Sequence, residues 1–262
     1  MAGSEKRERL KEFYLEIRNC TKCELSKTRT NFVFGSGSAD ATIMFVGEAP
    51  GRNEDLQGKP FVGQAGRLLD ELLLYIGLTR DKVFIANVLK CRPPGNRDPR
   101  LEEINSCKCY LFKQIEIIDP KIICTLGKHS TQLILNTQAG ITSLRGRVFK
   151  IGKRLILPIN HPAAALYTPS KMSVLREDFL RIERFIRHEE EYRGYMEEIE
   201  ELHEQKPPGP GGMSMKDYEG VVLELGFESG FGSDTDAGEY EPGEAPGIAD
   251  SGKDKGEQLE LF

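Results

Sequence analysis

The chain has 262 residues, enough for one or two domains, and carries 36 Lys+Arg against 41 Asp+Glu for a net charge of −5 at pH 7. That balance hides a division: residues 191–262 hold 5 basic and 19 acidic side chains, a net of −14, which leaves residues 1–190 at +9. A basic body suits a polyanionic partner such as nucleic acid, whereas a membrane is excluded by the lack of any apolar run of about 18 residues, and secretion by an N-terminus without the apolar core of a signal peptide.

From residue 5 to 19, Leu10, Phe13, Tyr14 and Ile17 recur at helical spacing, which predicts an amphipathic helix ending in the turn Cys20-Thr-Lys-Cys23. The apolar run from Thr42 to Val46 predicts the first buried strand. It feeds into Gly47-Glu-Ala-Pro-Gly-Arg-Asn-Glu-Asp55, a Gly/Pro-rich loop closed by Pro60-Phe-Val-Gly63, and residues 64–77 leave that loop as a helix. In α/β proteins, ligands sit beyond the carboxyl ends of strands. This loop, with three carboxylates and an aromatic, is therefore the candidate active site. Lys82 to Val88 predicts the second strand, with Asn87 at its carboxyl end.

Three prolines and a glycine keep Cys91–Pro99 out of helix and strand. Residues 100–118 read as a helix with Ile104, Leu111, Ile115 and Ile118 on one face, Lys121 to Leu126 as the third strand, and Gly127-Lys128 as the start of a short helix. Residues 141–150 read as an irregular or hairpin segment, and Leu155 to Asn160 as the fourth strand, ending at His161-Pro162. Pro158 inside that strand predicts an edge position or an irregular end. Residues 172–203 are helical by pattern and grow acidic. Beyond about 205 the Gly, Pro, Ser, Asp and Glu content argues for disorder, with Gly220–Leu225 the one candidate strand. The expectation is a folded body over residues 1–204, a disordered acidic tail over 205–262, and a mostly parallel sheet covered on both faces.

A cytoplasmic chain keeps its six cysteines reduced, so their placement calls for burial, metal or catalysis. Cys20, Cys23, Cys91 and Cys107 group as candidate ligands, because a rigid loop and the helix after it bring Cys91 and Cys107 to one point. Four thiolates suit zinc or an iron–sulfur cluster. One CxxC pair with two separated singles tilts toward [4Fe–4S]. Cys109 competes with Cys107, since spacing does not separate cysteines two residues apart, and Cys124 reads as a core residue.

Glu48, Glu54, Asn87 and His161 all fall just past predicted strand ends, on the rim where such folds bind ligands. With Phe61 they form a set suited to reading a base: an aromatic plate to stack on, a carboxamide that both donates and accepts, a histidine to donate to a carbonyl, and a carboxylate to stabilise a cationic sugar or orient water. His129 opens a helix, and His188 and His203 lie on charged faces; none has a comparable claim. No nucleophile elbow, Walker loop or GxGxxG spacing is present.

Three ordered segments, Gly47–Gly63, Asn87–Arg97 and His161-Pro-Ala163, together with the four cysteines, closely resemble family 4 uracil-DNA glycosylases over roughly residues 8–190. The resemblance implies a three-layer α/β/α fold with a central four-stranded parallel sheet, uracil-DNA glycosylase-like, and a structural [4Fe–4S] cluster on Cys20, Cys23, Cys91 and Cys107. It implies a uracil stacked on Phe61, its edge read by Asn87, contacts from Glu48 and Ala49, and a His161 that donates to O2 and stabilises the departing uracil anion. The catalytic carboxylate carries over by position to Glu54, with Glu48 second. The implied reaction hydrolyses the N-glycosidic bond of a flipped deoxyuridine in single- or double-stranded DNA, leaving an abasic site. Ala164-Ala165 follow the histidine motif where a bulky pair often wedges into the base stack, which leaves Leu166 as the candidate wedge.

A monomeric, cytoplasmic, nucleoid-associated enzyme is the expectation. Gln258-Leu-Glu-Leu-Phe262 loosely matches the sliding-clamp peptide Q-x-x-[LI]-x-x-F-F, making the tail end a candidate partner peptide. The rival readings are a catalytically silent Fe–S nucleic-acid-binding module and a glycosylase of broader base choice.

Overall fold

The computed structural model describes residues 2–168, 170–187 and 223–225. Four apolar runs become β2 (Ile43–Gly47), β3 (Phe84–Asn87), β4 (Ile122–Leu126) and β6 (Arg154–Ile159), paired in parallel in the order β3-β2-β4-β6. Every residue of β2, β3 and β4 is buried, as strands covered on both faces must be. Around this expected four-stranded core lie three antiparallel additions. These are β1 (Ser36–Gly37) beside β3, β5 (Val148–Ile151) beside β6, and β7 (Leu223–Leu225) beside β5.

Alternation along the strands divides the interior into two cores. Met44, Val46, Phe84 and Ala86 pack with Leu10 and Tyr14 of α1 (Ala2–Ile17) and Leu111 and Ile115 of α4 (Leu101–Ile118). Ile43, Phe45, Ile85 and Cys124 face the other way, against Leu69 and Leu72 of α3 (Gln64–Tyr75) and Phe179 and Ile182 of α8 (Lys171–Arg187). The result is a three-layer α/β/α arrangement.

Four local expectations are corrected. The loop after β2 contains a short helix, α2 (Arg52–Gln57), which Gly58 ends in a left-handed conformation. Residues 94–96 make one 3-10 turn inside the Pro-rich loop. Residues 141–150 resolve into the single helical turn α6 (Ile141–Leu144) and strand β5, which does form a hairpin with β6. Finally, β6 is not an edge strand: it lies between β4 and β5. Pro158 is tolerated because β5 pairs only with Arg154–Ile156, so the missing N–H falls beyond that ladder. Two more short helices, α5 (Lys128–Leu135) and α7 (Ala163–Tyr167), start just past the carboxyl ends of β4 and β6.

Among the described residues no helix is long and apolar enough to cross a membrane. The expected helix beyond Arg187, the disordered tail apart from β7, and the Gln258–Phe262 peptide lie outside the described residues.

Candidate active site

The sheet register sets Gly47 directly opposite Asn87 at the carboxyl ends of β2 and β3. A Cβ on Gly47 would stand 2.4 Å from Asn87 Oδ1 and 2.7 Å from the Phe61 ring, so only glycine lets carboxamide and ring close over the strand end. Asn87 is 2% exposed, and its buried Oδ1 has no hydrogen-bond partner. Leaving an acceptor in that state costs about 1–3 kcal/mol.

Phe61 has a φ of 52°, a left-handed backbone that a bulky residue rarely adopts. Arg80, a residue the sequence did not single out, fixes it there. Its guanidinium donates to the carbonyls of Phe61, Pro60 and Gly66 and is ion-paired with Asp70. Gly66 leaves room for the Phe61 carbonyl, which a Cβ would meet at 1.8 Å. The Phe61 ring stacks against His161, with centroids 5.6 Å apart and an interplanar angle of 27°.

His161 follows β6 and lies against Gly127, whose φ of +90° and missing side chain admit it. The Ala163 N–H donates to His161 Nδ1 at 3.2 Å, so a neutral ring carries its proton on Nε2. Burial lowers the imidazole pKa to about 4, against an opposing pull from the Glu54 charge. At neutral pH the ring is therefore an uncharged donor.

The two carboxylates have different surroundings. Glu54, on α2, accepts the N–H groups of Val62 (2.9 Å) and Gly63 (2.8 Å) through Oε1. It thereby caps α3, whose N-cap Gly63 has no side chain to do so. Glu48 is half-buried, and that burial raises its carboxyl pKa while His129 pulls the other way. His129 Nε2 stands 3.7 Å from Glu48 and 3.4 Å from Asp98. Nothing in the residues around His129 marks that place, because Glu48 and His129 meet only when β2 and β4 pair. Ala49 packs against the core below the loop. On α7, Leu166 is 41% exposed and its neighbour Tyr167 86%, so the tyrosine is the more prominent side chain.

Cys91 and Cys107 are buried, and partly buried Cys20 and Cys23 pack against the same core, whereas Cys109 is exposed and Cys124 lies inside β4. Donors point at the sulfurs: Tyr110 O–H to Cys20 (3.1 Å), Arg29 to Cys91 (3.2 Å), and the N–H groups of Lys22 and Lys90 to Cys20 and Cys107 (each 3.4 Å). Burial raises the pKa of Cys91 and pushes that of Cys107 up to about 12, so as free thiols both stay protonated.

Residues 34–183 match the family model of the uracil DNA glycosylase superfamily. The chain is 52% identical over 184 residues to the type-4 uracil-DNA glycosylase of Sulfurisphaera tokodaii, spanning 67% of this chain and 82% of that protein. It is 48% identical over 183 residues to the type-4 uracil-DNA glycosylase of Archaeoglobus fulgidus (67% and 92%). To that of Thermotoga maritima it is 42% identical over 188 residues (70% and 98%).

Proposed function

The chain belongs to the uracil DNA glycosylase superfamily, among its type-4 members, and from that premise we propose how its own residues excise uracil from DNA. The enzyme hydrolyses the N-glycosidic bond of deoxyuridine, a repair reaction that leaves free uracil and an abasic site. The observation that carries the site assignment is the unpartnered Oδ1 of Asn87, buried beside the Phe61–His161 stack. An acceptor kept dry and unpaired is suited to an incoming N–H, and uracil presents one at N3.

A flipped deoxyuridine enters with its ring on Phe61, at a cost of a few kcal/mol for unstacking that is smaller for a mispaired base. Asn87 Oδ1 accepts from N3–H while its Nδ2 donates to O4. Cytosine reverses both polarities and would leave two buried groups unpaired. Neutral His161 donates from Nε2 to O2, where negative charge grows as the bond to the sugar breaks. A donor in place before reaction needs no reorganisation at that moment. Glu54, fixed by two backbone N–H groups, supplies negative charge for the oxocarbenium-like sugar and orients the attacking water. Glu48 is the second carboxylate at the rim, and Ala49 contributes backbone contacts. Leu166 is the wedge, with the more exposed Tyr167 beside it.

Cys20, Cys23, Cys91 and Cys107 fit a [4Fe–4S] cluster. The donors around them suit thiolates. When bound, such a cluster pins the end of α1 and the Pro-rich loop in place. The catalytic unit is read as residues 1–204, acting inside the cell as a monomer on single- or double-stranded DNA. Residues 205–262 form an appended tail whose last five residues are read as a clamp-binding peptide; unchanged clamp affinity after their removal would dispose of that role.

The test is release of uracil from a deoxyuridine oligonucleotide, with a thymidine oligonucleotide as control. Release from the first alone is expected; equal treatment of both, or neither cut, refutes the reading.

A further inference from the structure

Asn87 must hold its carboxamide in one orientation, yet its Oδ1 has no partner to fix it. Its orientation therefore depends on what fixes the main chain at residue 87, and besides the pairing of β3 with β2 one hold comes from a side chain that the reaction above does not use. Lys90 is 0% exposed. Its Nζ donates to the Asn87 carbonyl at 2.9 Å and to Gln114 Oε1 at 2.6 Å. Gln114, also buried, is tied in turn by its Nε2 to the Phe34 carbonyl at 2.9 Å.

An ammonium buried against neutral carbonyls is costly, several kcal/mol of effective desolvation, and an aliphatic side chain would avoid that cost. The sulfurs that would carry the compensating negative charge as cluster thiolates lie next door: Lys90 precedes Cys91, and its backbone N–H faces Cys107 Sγ at 3.4 Å.

We propose that Lys90 is a positioning residue for base recognition: its ammonium, balanced by the thiolates of the four-cysteine set, clamps the main chain at Asn87 so that the carboxamide faces the base edge. The inference rests on the assignment of Asn87 and the cysteines above. It makes the cysteine set more than a remote staple, because the same charge that it balances holds the base-reading residue three positions away.

Lys90→Met and Gln114→Met in the purified, cluster-bearing enzyme test this. For Lys90→Met, visible absorbance should persist, and single-turnover uracil release should fall at least about tenfold, with affinity for abasic-site DNA within about twofold of wild type. Amide exchange at Val88 and Leu89 should rise, and the cluster's midpoint potential should move to a more negative value because a nearby cation is gone. Gln114→Met keeps the charge, so it should slow release several-fold without moving the potential. A residue that merely fills space would lower Tm and leave the potential and the rate-against-affinity split alone.

Wild-type release and potential in Lys90→Met overturn the proposal. If Lys90→Met does not fold, an unchanged rate in Gln114→Met overturns it instead. Failure of the wild type to release uracil would strike the assignment of Asn87, and a colourless wild type the assignment of the cluster; amide exchange at residues 88 and 89 then judges the clamp alone.

Discussion

At the scale of single residues, the pocket is a set of polarities fixed before any ligand arrives. Asn87 supplies one unpaired acceptor, and His161, with Nδ1 occupied by the Ala163 N–H, supplies one donor. Replacing Asn87 by Asp keeps the shape and removes the donor to O4. Uracil release should fall about 10²-fold, and the preference for uracil over cytosine should shrink. Single-turnover rates on matched deoxyuridine and deoxycytidine oligonucleotides measure both, and unchanged selectivity would remove Asn87 from base reading. Asn87 and His161 are legible in the sequence because each stands at or just past a strand end, and Phe61 because it closes the Gly/Pro-rich loop that follows β2. Arg80, Lys90 and His129 are not. Their partners lie on other elements, as with Lys90 and Gln114, 24 residues apart, and nothing in local composition marks a lysine as buried.

Among the elements, α2 and α3 are joined through Glu54, which serves a structural and a proposed chemical purpose at once. Two substitutions separate these. Glu54→Ala removes both cap and charge, so it should cost about 1 kcal/mol of stability as well as most of the single-turnover rate. Glu54→Gln retains an oxygen for the Val62 and Gly63 N–H groups and should unfold at nearly the wild-type denaturant midpoint while remaining slow. If Glu54→Gln keeps the full rate, the carboxylate only caps. The sequence did not reveal this cap, since α2 is written in residues that read as loop: Gly51 before it, Gly58 after it and one turn and a half between. The strands were plain from apolar runs, whereas Pro158 misled about the edge because sequence does not disclose where β5 stops pairing.

For the molecule as a whole, burying a neutral histidine couples folding to pH. His161 titrates near 4 in the folded protein against an ordinary value of 6.5, so the unfolded chain binds the extra proton first as pH falls. Stability is complete above about 6.5 and declines down to about 4, by about 3 kcal/mol in total from this group. Urea midpoints at pH 8 and pH 4.5 should differ accordingly, and His161→Gln should flatten the difference; an equal slope in both proteins would place the acid sensitivity elsewhere. The left-handed Phe61, held by Arg80 and Asp70, bears on the order of events on DNA. Its plate is held by the protein's own carbonyl, guanidinium and carboxylate groups, so on the proposed reading orienting it adds nothing to the cost of binding a base. On the proposed reading, the waiting time for capture belongs to the DNA: how often, and for how long, a mispaired uracil swings out of its stack.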